Sequence, residues 1–251
     1  MLLPIGRAEE KARATSAIVY ALIIANVLVF LMELAGGDRF IYGYAVVPWE
    51  ITHGADLARP VFVRGVGIIP QAPGPTPIYL TLFTSMFMHS GWLHIGVNML
   101  YLWIFGGEIE EVFGHLEFLI FYLVCGVAAA FAQIWMDPDS VIPSLGASGA
   151  IAGVLGAYLR MFPLNRVRVL APLGCLLLPI RLPAVVVIGF WIALQFFSEF
   201  ASITEHNAQT RHGGVAYMAH IGGFLTGLAL SFLWWRKEEM GTGDMDYYRP
   251  E

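Results

Sequence analysis

A serine in a glycine-bearing turn is the first feature of this chain that could do chemistry. Ser148 lies in Gly146-Ala147-Ser148-Gly149, where a long apolar stretch begins. The glycines allow a tight turn and a close approach of another segment, and a helix starting here would direct free N–H groups at an anion formed beside Ser148. Because the same pattern also fits an ordinary helix N-cap, a partner is needed before it indicates a nucleophile.

His220 is the candidate partner. A serine hydroxyl becomes a strong nucleophile only when a base removes its proton. In the C-terminal half of the chain, His220 is the histidine that falls inside a long apolar stretch. Small residues four apart follow it at Gly223 and Gly227, and such a face lets two helices approach closely. We therefore expect His220 to come within hydrogen-bond distance of Ser148.

Two further polar side chains could stabilise the charge that such a nucleophile produces. His94 and Asn98 are four residues apart in an apolar stretch, so they share one face of a helix. One interpretation is a structural link between helices. The other is an oxyanion site, in which both side chains and the Ser148 backbone N–H donate to a tetrahedral intermediate.

The elements that must position these residues are membrane helices. The chain has 251 residues, of which 57% are hydrophobic and only 13% charged, far from the composition of a soluble domain. Long apolar stretches predict an all-α protein with six spans: about 16–34, 91–108, 115–135, 147–163, 183–201 and 214–235. The apolar segment 78–88 is too short for another span and is expected to lie at the surface or to re-enter the bilayer.

The distribution of Lys and Arg predicts the orientation of these spans, since cytoplasmic loops carry the excess of positive charge. With the N-terminus inside, ten of the 14 basic residues are cytoplasmic and four, Arg39, Arg59, Arg64 and Arg211, are outside. We therefore predict cytoplasmic N and C termini. His94, Asn98, Ser148 and His220 would then lie at similar depth beneath the outer surface.

The motifs together resemble the signature set of the bacterial rhomboid proteases. The resemblance is carried by 89–98 (HSGWLHIGVN), by 146–149 (GASG), and by Ala219-His220 with Gly223 and Gly227. It covers roughly residues 75–235, and the order of motifs and spans agrees as well. It implies a six-helix intramembrane serine protease that needs no metal or other cofactor.

The resemblance also implies residue roles. Ser148 and His220 would form a catalytic dyad, and His94, Asn98 and the Ser148 amide an oxyanion hole. Supporting positions would be Gly146, Gly149, Gly223 and Gly227, with Glu110 and Gly114 bracing helix packing. His89 resembles an upstream histidine that anchors the preceding loop by hydrogen bonding.

One position departs from the family pattern. Four residues after the nucleophile some rhomboids carry a tyrosine against the catalytic histidine, and here that residue is Ala152. Tyr217, one turn before His220, lies on nearly the same helix face and could take over, while a plain packing role is equally open. How the His220 ring is held is not predicted.

The implied partners are the lipid bilayer and transmembrane protein substrates, with no nucleic acid and no metal. The predicted organisation is a cytoplasmic segment 1–15, the six-helix domain 16–235 and an acidic, disordered cytoplasmic tail 236–251. No removable signal peptide is expected, and the two cysteines, Cys125 and Cys175, are interpreted as core residues. The predicted location is multi-pass, in a bacterial plasma membrane.

Two alternatives to a protease stay open. One is a catalytically inactive rhomboid relative that binds membrane proteins, although such a protein would normally lack the nucleophile or the base. The other is a small transporter that uses the polar layer as a solute site, which would be favoured by repeated halves. No such repeat is visible in the sequence.

Overall fold

The computed structural model describes residues 3–7, 16–173, 176–204 and 216–240, and these are mostly helical. Within them, six helices have 14 or more residues. Numbered with the two shorter α-helices in chain order, they are α1 Ala17–Tyr44, α4 Trp92–Phe113, α5 His115–Met136, α6 Ser148–Met161, α7 Ala184–Thr204 and α8 Tyr217–Met240.

These six helices lie where the six apolar stretches were predicted. Two of them, α1 and α5, are long and apolar enough to cross a membrane by length and composition, and shorter apolar helices occur at 78–87, 184–200 and 217–233. The outward faces of α1, α5 and α7 are strongly apolar, with Leu28, Trp135 and Phe197 among the exposed side chains. An apolar outer surface of this kind is typical of helices in lipid.

Helix α6 is the central, buried helix of the bundle. This helix packs against α8, α5 and α4, and every residue from Gly149 to Tyr158 is buried. At Gly156, Gly223 and Gly227 an added Cβ would collide with main-chain atoms of the facing helix, namely Phe224 O, Gly149 O and Gly153 O. The α6 and α8 backbones are therefore in direct contact, as small residues allow.

The structure also contains strands, which corrects the prediction of an all-α chain. Strands β4, Arg166–Leu173, and β5, Leu176–Pro183, form an antiparallel pair between α6 and α7, and β1, Leu3–Arg7, pairs with β4. A smaller hairpin joins β2, Val61–Val63, to β3, Gly67–Ile69. The N-terminal segment is thus partly a sheet strand and not only a leader to the first helix.

The connection between α1 and α4 is packed onto the bundle. It contains α2, Pro48–His53, and a run of tight helical turns over 78–87 that includes α3, Thr81–Thr84. Its inner side chains, including Met86 and Met88, are buried, whereas Tyr79, Leu80 and Phe83 are exposed. The segment predicted as surface-lying or re-entrant is therefore an amphipathic helical turn with one face in the core.

Carboxylates secure α1 to its neighbours. Glu110 of α4 is buried and accepts hydrogen bonds from the Ile18 and Val19 N–H groups at 2.8 Å, which satisfies free donors at the start of α1. Near the other end, Glu33 of α1 is buried and accepts a hydrogen bond from the His89 N–H at 3.0 Å. The bracing role expected of Glu110 is thus directed at the first helix.

The C-terminal boundary differs from the prediction. Helix α8 continues to Met240, so residues 236–240 are helical and do not belong to a disordered tail. Residues 241–251, the loop 205–215 and Cys175 lie outside the described residues. Cys125 is buried in α5 and unpaired, as expected of a core residue.

Candidate active site

Ser148 is the first residue of α6 and is held there by its incoming loop. The backbone of Ser144 pairs with Val46, at N–O distances of 3.0 and 2.8 Å, and the Gly146 N–H donates to Ser85 O at 2.9 Å. Because the first N–H groups of a helix have no partner within it, the amides around Ser148 are available to a bound group. The half-buried hydroxyl is therefore presented beside a preformed set of donors.

The backbone conformation and the limited space at Gly146 both favour glycine over any residue with a side chain. Its φ of 136° lies in a region that favours glycine. A Cβ added there would sit 3.1 Å from His94 Nε2 and 3.5 Å from Ser148 Oγ. Its small size therefore keeps open the space between the His94 ring and the Ser148 hydroxyl.

His220 lies within hydrogen-bond distance of Ser148. The Nε2 atom of His220 is 2.8 Å from Ser148 Oγ, the separation of a normal hydrogen bond. His220 is in the first turn of α8, about one turn nearer the start of its helix than the predicted span 214–235 implied, because α8 begins at Tyr217. The direct contact of the α6 and α8 backbones brings the two side chains together.

The His220 ring is held by side chains of α7, a helix from which no site residue was predicted. Gln195 Oε1 lies 2.8 Å from His220 Nδ1, and the Trp191 ring is 5.6 Å from the His220 ring, tilted by 43°. Ala152, at the position of the family tyrosine, is fully buried. Tyr217 is half-buried at the start of α8, and within the described residues the ring found against His220 is Trp191, not Tyr217.

A sequence signal for Gln195 and Trp191 did exist. Gln195 is a polar amide inside the predicted span 183–201, and each polar residue within a span is a functional candidate. The catalytic and oxyanion residues predicted from the sequence all lie in the second, fourth and sixth spans, whereas Gln195 lies in the fifth. Trp191, four residues earlier, falls on the same helix face.

His94 points a donor toward Ser148. The Ser90 N–H donates to His94 Nδ1 at 3.3 Å, and Ser90 Oγ lies 3.1 Å from the same nitrogen. Since Nδ1 accepts, the proton of the neutral ring is on Nε2, the atom that lies beside Gly146. His94 can therefore donate to an oxygen bound next to Ser148.

Asn98 is a buried amide on the same face of α4, one turn after His94. Its Nδ2 has no hydrogen-bond partner among the described residues, and leaving a buried donor unpaired costs about 1–3 kcal/mol. The residue also lines the cavity that contains Ser148. An unpaired donor at such a place is available to an oxygen that enters during a reaction.

His89 supports the site in a different way from that expected. Its main-chain N–H, not its ring, makes the bond to Glu33, and neither ring nitrogen has a partner of good geometry among the described residues. The ring packs edge-on to the His94 ring at 5.0 Å. Burial, followed by the nearby His94, lowers the pKa of His89 to about 4, so the ring is neutral at physiological pH.

The site opens into a cavity of about 620 Å³. His94, Asn98, Ser148 and His220 all line it, together with Tyr101, Trp191 and the carboxylate-bearing Asp137. No group of three or more His, Cys, Asp or Glu side chains within the described part of the chain could hold a metal ion. The arrangement offers a nucleophile, a base and several donors around one open volume, which suits acyl transfer.

Comparison with known proteins identifies related chains. The family model described as Rhomboid domain matches residues 77–237. Rhomboid protein 1, mitochondrial, of Saccharomyces cerevisiae is 30% identical over 218 residues, which cover 84% of this chain and 51% of that protein. Rhomboid protease GluP of Bacillus subtilis is 33% identical over 149 residues, or 59% and 25% of the two chains.

A plant protein extends this set. RHOMBOID-like protein 6, mitochondrial, of Arabidopsis thaliana is 30% identical over 152 residues, which cover 61% of this chain and 42% of that protein. The chain thus spans about half or less of the length of these relatives.

Proposed function

Because the chain belongs to the rhomboid family of integral membrane proteins, we propose that it is an intramembrane serine endopeptidase. The observation that carries the proposal is the 2.8 Å approach of His220 Nε2 to Ser148 Oγ at the edge of an open cavity. One matched relative is itself named a protease. The proposed substrates are transmembrane proteins, whose helix unwinds near the membrane surface to present a peptide bond.

The proposed reaction runs in two steps. Ser148 Oγ attacks the scissile carbonyl carbon while its proton moves to His220 Nε2, and the imidazolium then gives that proton to the leaving amine. The acyl-enzyme is cleaved by a water molecule that loses a proton to the same nitrogen. His220 then gives that proton to Ser148 Oγ as the acyl C–O bond breaks, which restores the neutral imidazole and the serine hydroxyl together.

The negative oxygen of each tetrahedral intermediate would be bound by three donors. These are the Ser148 N–H at the start of α6, the His94 Nε2–H and the Asn98 amide. The proton position on His94 and the unpaired Asn98 Nδ2 support this assignment. Donors fixed before the reaction stabilise charge more effectively than mobile water, which must reorient.

Asn98→Ala is expected to lower kcat by about 10- to 1000-fold, the effect of one lost oxyanion donor, with little change in KM. The measurement is steady-state cleavage of a transmembrane test substrate in detergent micelles or vesicles. Asn165→Ala is the matched control, since that amide lies after α6 and bonds to Glu108 at 2.8 Å. A raised KM with unchanged kcat would assign Asn98 to substrate docking instead.

We further propose that the six long helices cross the membrane with both termini in the cytoplasm. Two contacts between connections support this alternation. Strand β1, before the first long helix, pairs with β4, after the fourth, and Val46, after the first, pairs with Ser144, after the third. Each pair joins segments separated by an even number of long helices, as a repeated crossing requires.

The orientation can be tested by cysteine labelling. Ser140→Cys should react with a membrane-impermeant thiol reagent in intact cells, whereas Thr242→Cys should react only after the cells are opened. The parent for both is a Cys125→Ser, Cys175→Ser variant that retains cleavage activity. The reverse labelling pattern would place the active site on the cytoplasmic side.

The remaining alternative is an inactive relative that binds membrane proteins. A fluorophosphonate probe separates the two functions without knowledge of the substrate, because it reacts only with an activated serine. We expect the purified protein to be labelled and Ser148→Ala to be unlabelled. Equal labelling of the two would overturn the proposed enzyme.

Which cellular membrane contains the protein stays a prediction. A bacterial plasma membrane was expected from the resemblance, and the matched relatives include a Bacillus subtilis protein. Others carry mitochondrial or chloroplastic names. The matched family supports an integral membrane location, and the names of these relatives do not favour a bacterial plasma membrane.

A further inference from the structure

We propose that Gln195 is a positioning residue that accepts a hydrogen bond from His220 Nδ1. It thereby completes a hydrogen-bonded chain Ser148–His220–Gln195, here termed the relay, which orients the base without taking a proton from it. Trp191 fixes the plane of the histidine ring. This inference rests on the proposed function. It goes beyond the predicted dyad, in which His220 has no third member. The juxtaposition that carries it is one hydrogen bond on each nitrogen of a single half-buried imidazole.

The side-chain amide of Gln195 has one orientation in which both its nitrogen and its oxygen form hydrogen bonds. Its Nε2 donates to Trp191 O at 3.3 Å, one turn earlier in α7, so its Oε1 is the atom directed at His220 Nδ1, 2.8 Å away. Gln195 is only 9% exposed, and a buried amide gains from having both ends paired. The carbonyl oxygen is thus fixed as an acceptor.

That acceptor determines which histidine nitrogen carries the proton. A carbonyl oxygen cannot donate, so Nδ1 must hold the hydrogen and Nε2 must present its lone pair. The lone pair then points at Ser148 Oγ, 2.8 Å away. The neutral ring is therefore held in the tautomer that can accept the serine proton.

Trp191 and the small residue at Ala152 are complementary. A tyrosine at position 152 would approach His220 from α6, whereas here Ala152 is buried and the ring neighbour comes from α7, 5.6 Å from the imidazole. Both groups that hold His220 are thus one turn apart on a single helix. The position of α7 relative to α8 then sets the orientation of the base.

The choice of an amide over a carboxylate follows from the surroundings. An unpaired charge at membrane depth is expensive, while a glutamine has the same length as a glutamate and offers the same acceptor oxygen without the charge. When His220 takes the serine proton, Nδ1–H keeps its bond to Gln195. The relay therefore orients the base throughout the reaction without adding a fixed negative charge.

The test compares Gln195→Met with Leu194→Met, which places the same side chain at the neighbouring, partly exposed position of α7. We expect Gln195→Met to lower kcat and the rate of fluorophosphonate labelling by about 10- to 100-fold, part of the roughly 10²- to 10⁴-fold supplied by a positioned general base. KM should change little. Leu194→Met should retain both rates, and the melting temperatures of both variants verify folding.

Gln195→Glu supplies the readout that a merely structural role would not move. It keeps an acceptor oxygen for Nδ1–H, so its kcat should lie above that of Gln195→Met, and the acid limb of its pH–rate profile should move to higher pH as the carboxylate favours the imidazolium. The other titratable groups on the same cavity are His94, Tyr101 and Asp137. All three are unchanged in this variant.

The outcomes separate this inference from the proposed function. If the unmodified protein is not labelled, the enzyme itself is wrong. If it is labelled and Gln195→Met reacts as fast as Leu194→Met, only the relay is overturned. An acid limb that does not move in Gln195→Glu would likewise overturn it.

Discussion

Ser148→Ala and His220→Ala are each expected to reduce cleavage of a transmembrane test substrate to background. The first removes the hydroxyl oxygen that lies 2.8 Å from His220 Nε2, and the second removes the base at that distance. In serine proteases with the same division of roles, losing either member costs on the order of 10⁶-fold in kcat. Neither change enlarges a side chain, so folding and membrane insertion should be preserved.

The control for these variants is Ser231→Ala. Ser231 is a buried serine of α8 whose hydroxyl donates to Leu228 O, three residues earlier in its own helix, so the same chemical change is made away from the cavity. Its turnover should stay near that of the original protein. Near-normal turnover in Ser148→Ala or His220→Ala would show that the assigned roles are wrong.

Gly227→Ala is the second change with a large expected effect. An added Cβ would meet the Gly153 backbone, which cannot rotate away, so α6 and α8 must separate. Overpacking of a core typically costs about 1–3 kcal/mol, and a displacement of about 1 Å between reacting groups can cost about 10²-fold in rate. We expect a lower melting temperature and at least that loss of kcat.

Gly189→Ala is the matched control, because a Cβ at this position of α7 meets nothing within 4 Å. Alanine is favoured over glycine in a helix by about 1 kcal/mol, so this variant should be as stable as the original or slightly more so. The comparison is made by thermal unfolding in detergent and by substrate cleavage. Equal behaviour of the two variants would contradict the direct backbone contact between α6 and α8.

The positions of the six helices were predictable because a long apolar stretch is a local signal. The small residues of α6 and α8 also pointed to one interface, since glycines four apart fall on one face. The contact of Ser148 with His220 then follows from two helices that begin near the same level. Each of these inferences uses only residues close together in the sequence or a general rule for helix packing.

The contacts that orient the His220 ring, made by Gln195 and Trp191, were not predictable in the same way. Gln195 lies 25 residues before His220, on a helix whose rotation about its axis is set by packing and not by its own sequence. An isolated amide in an apolar stretch is visible, but its partner is not. The sequence therefore showed that Ala152 stands where some family members have a tyrosine. It did not show which residues contact the His220 ring instead.

The sheet was missed for a related reason. The residues of β4 begin Arg166-Val167-Arg168-Val169, an alternation typical of a strand, and they fall between the predicted spans 147–163 and 183–201. Its partner β1 lies some 160 residues earlier, and pairing over such a distance leaves no local trace. The same holds for the bond of Glu110 to the start of α1.

The contacts of Glu110 and Glu33 at α1 affect where an N-terminal truncation of this protein can begin. The matched region begins at residue 77, yet Glu110 inside it accepts two amides of α1, and the His89 amide inside it is bonded by Glu33 of that helix. A chain cut at residue 77 would retain every motif residue, but Glu110 would lose both main-chain donors of α1 and keep the contact with His115, and the His89 N–H would lose its acceptor Glu33. We therefore expect the smallest unit that folds independently to start before Ile18, so that a boundary drawn from sequence similarity would fall inside it.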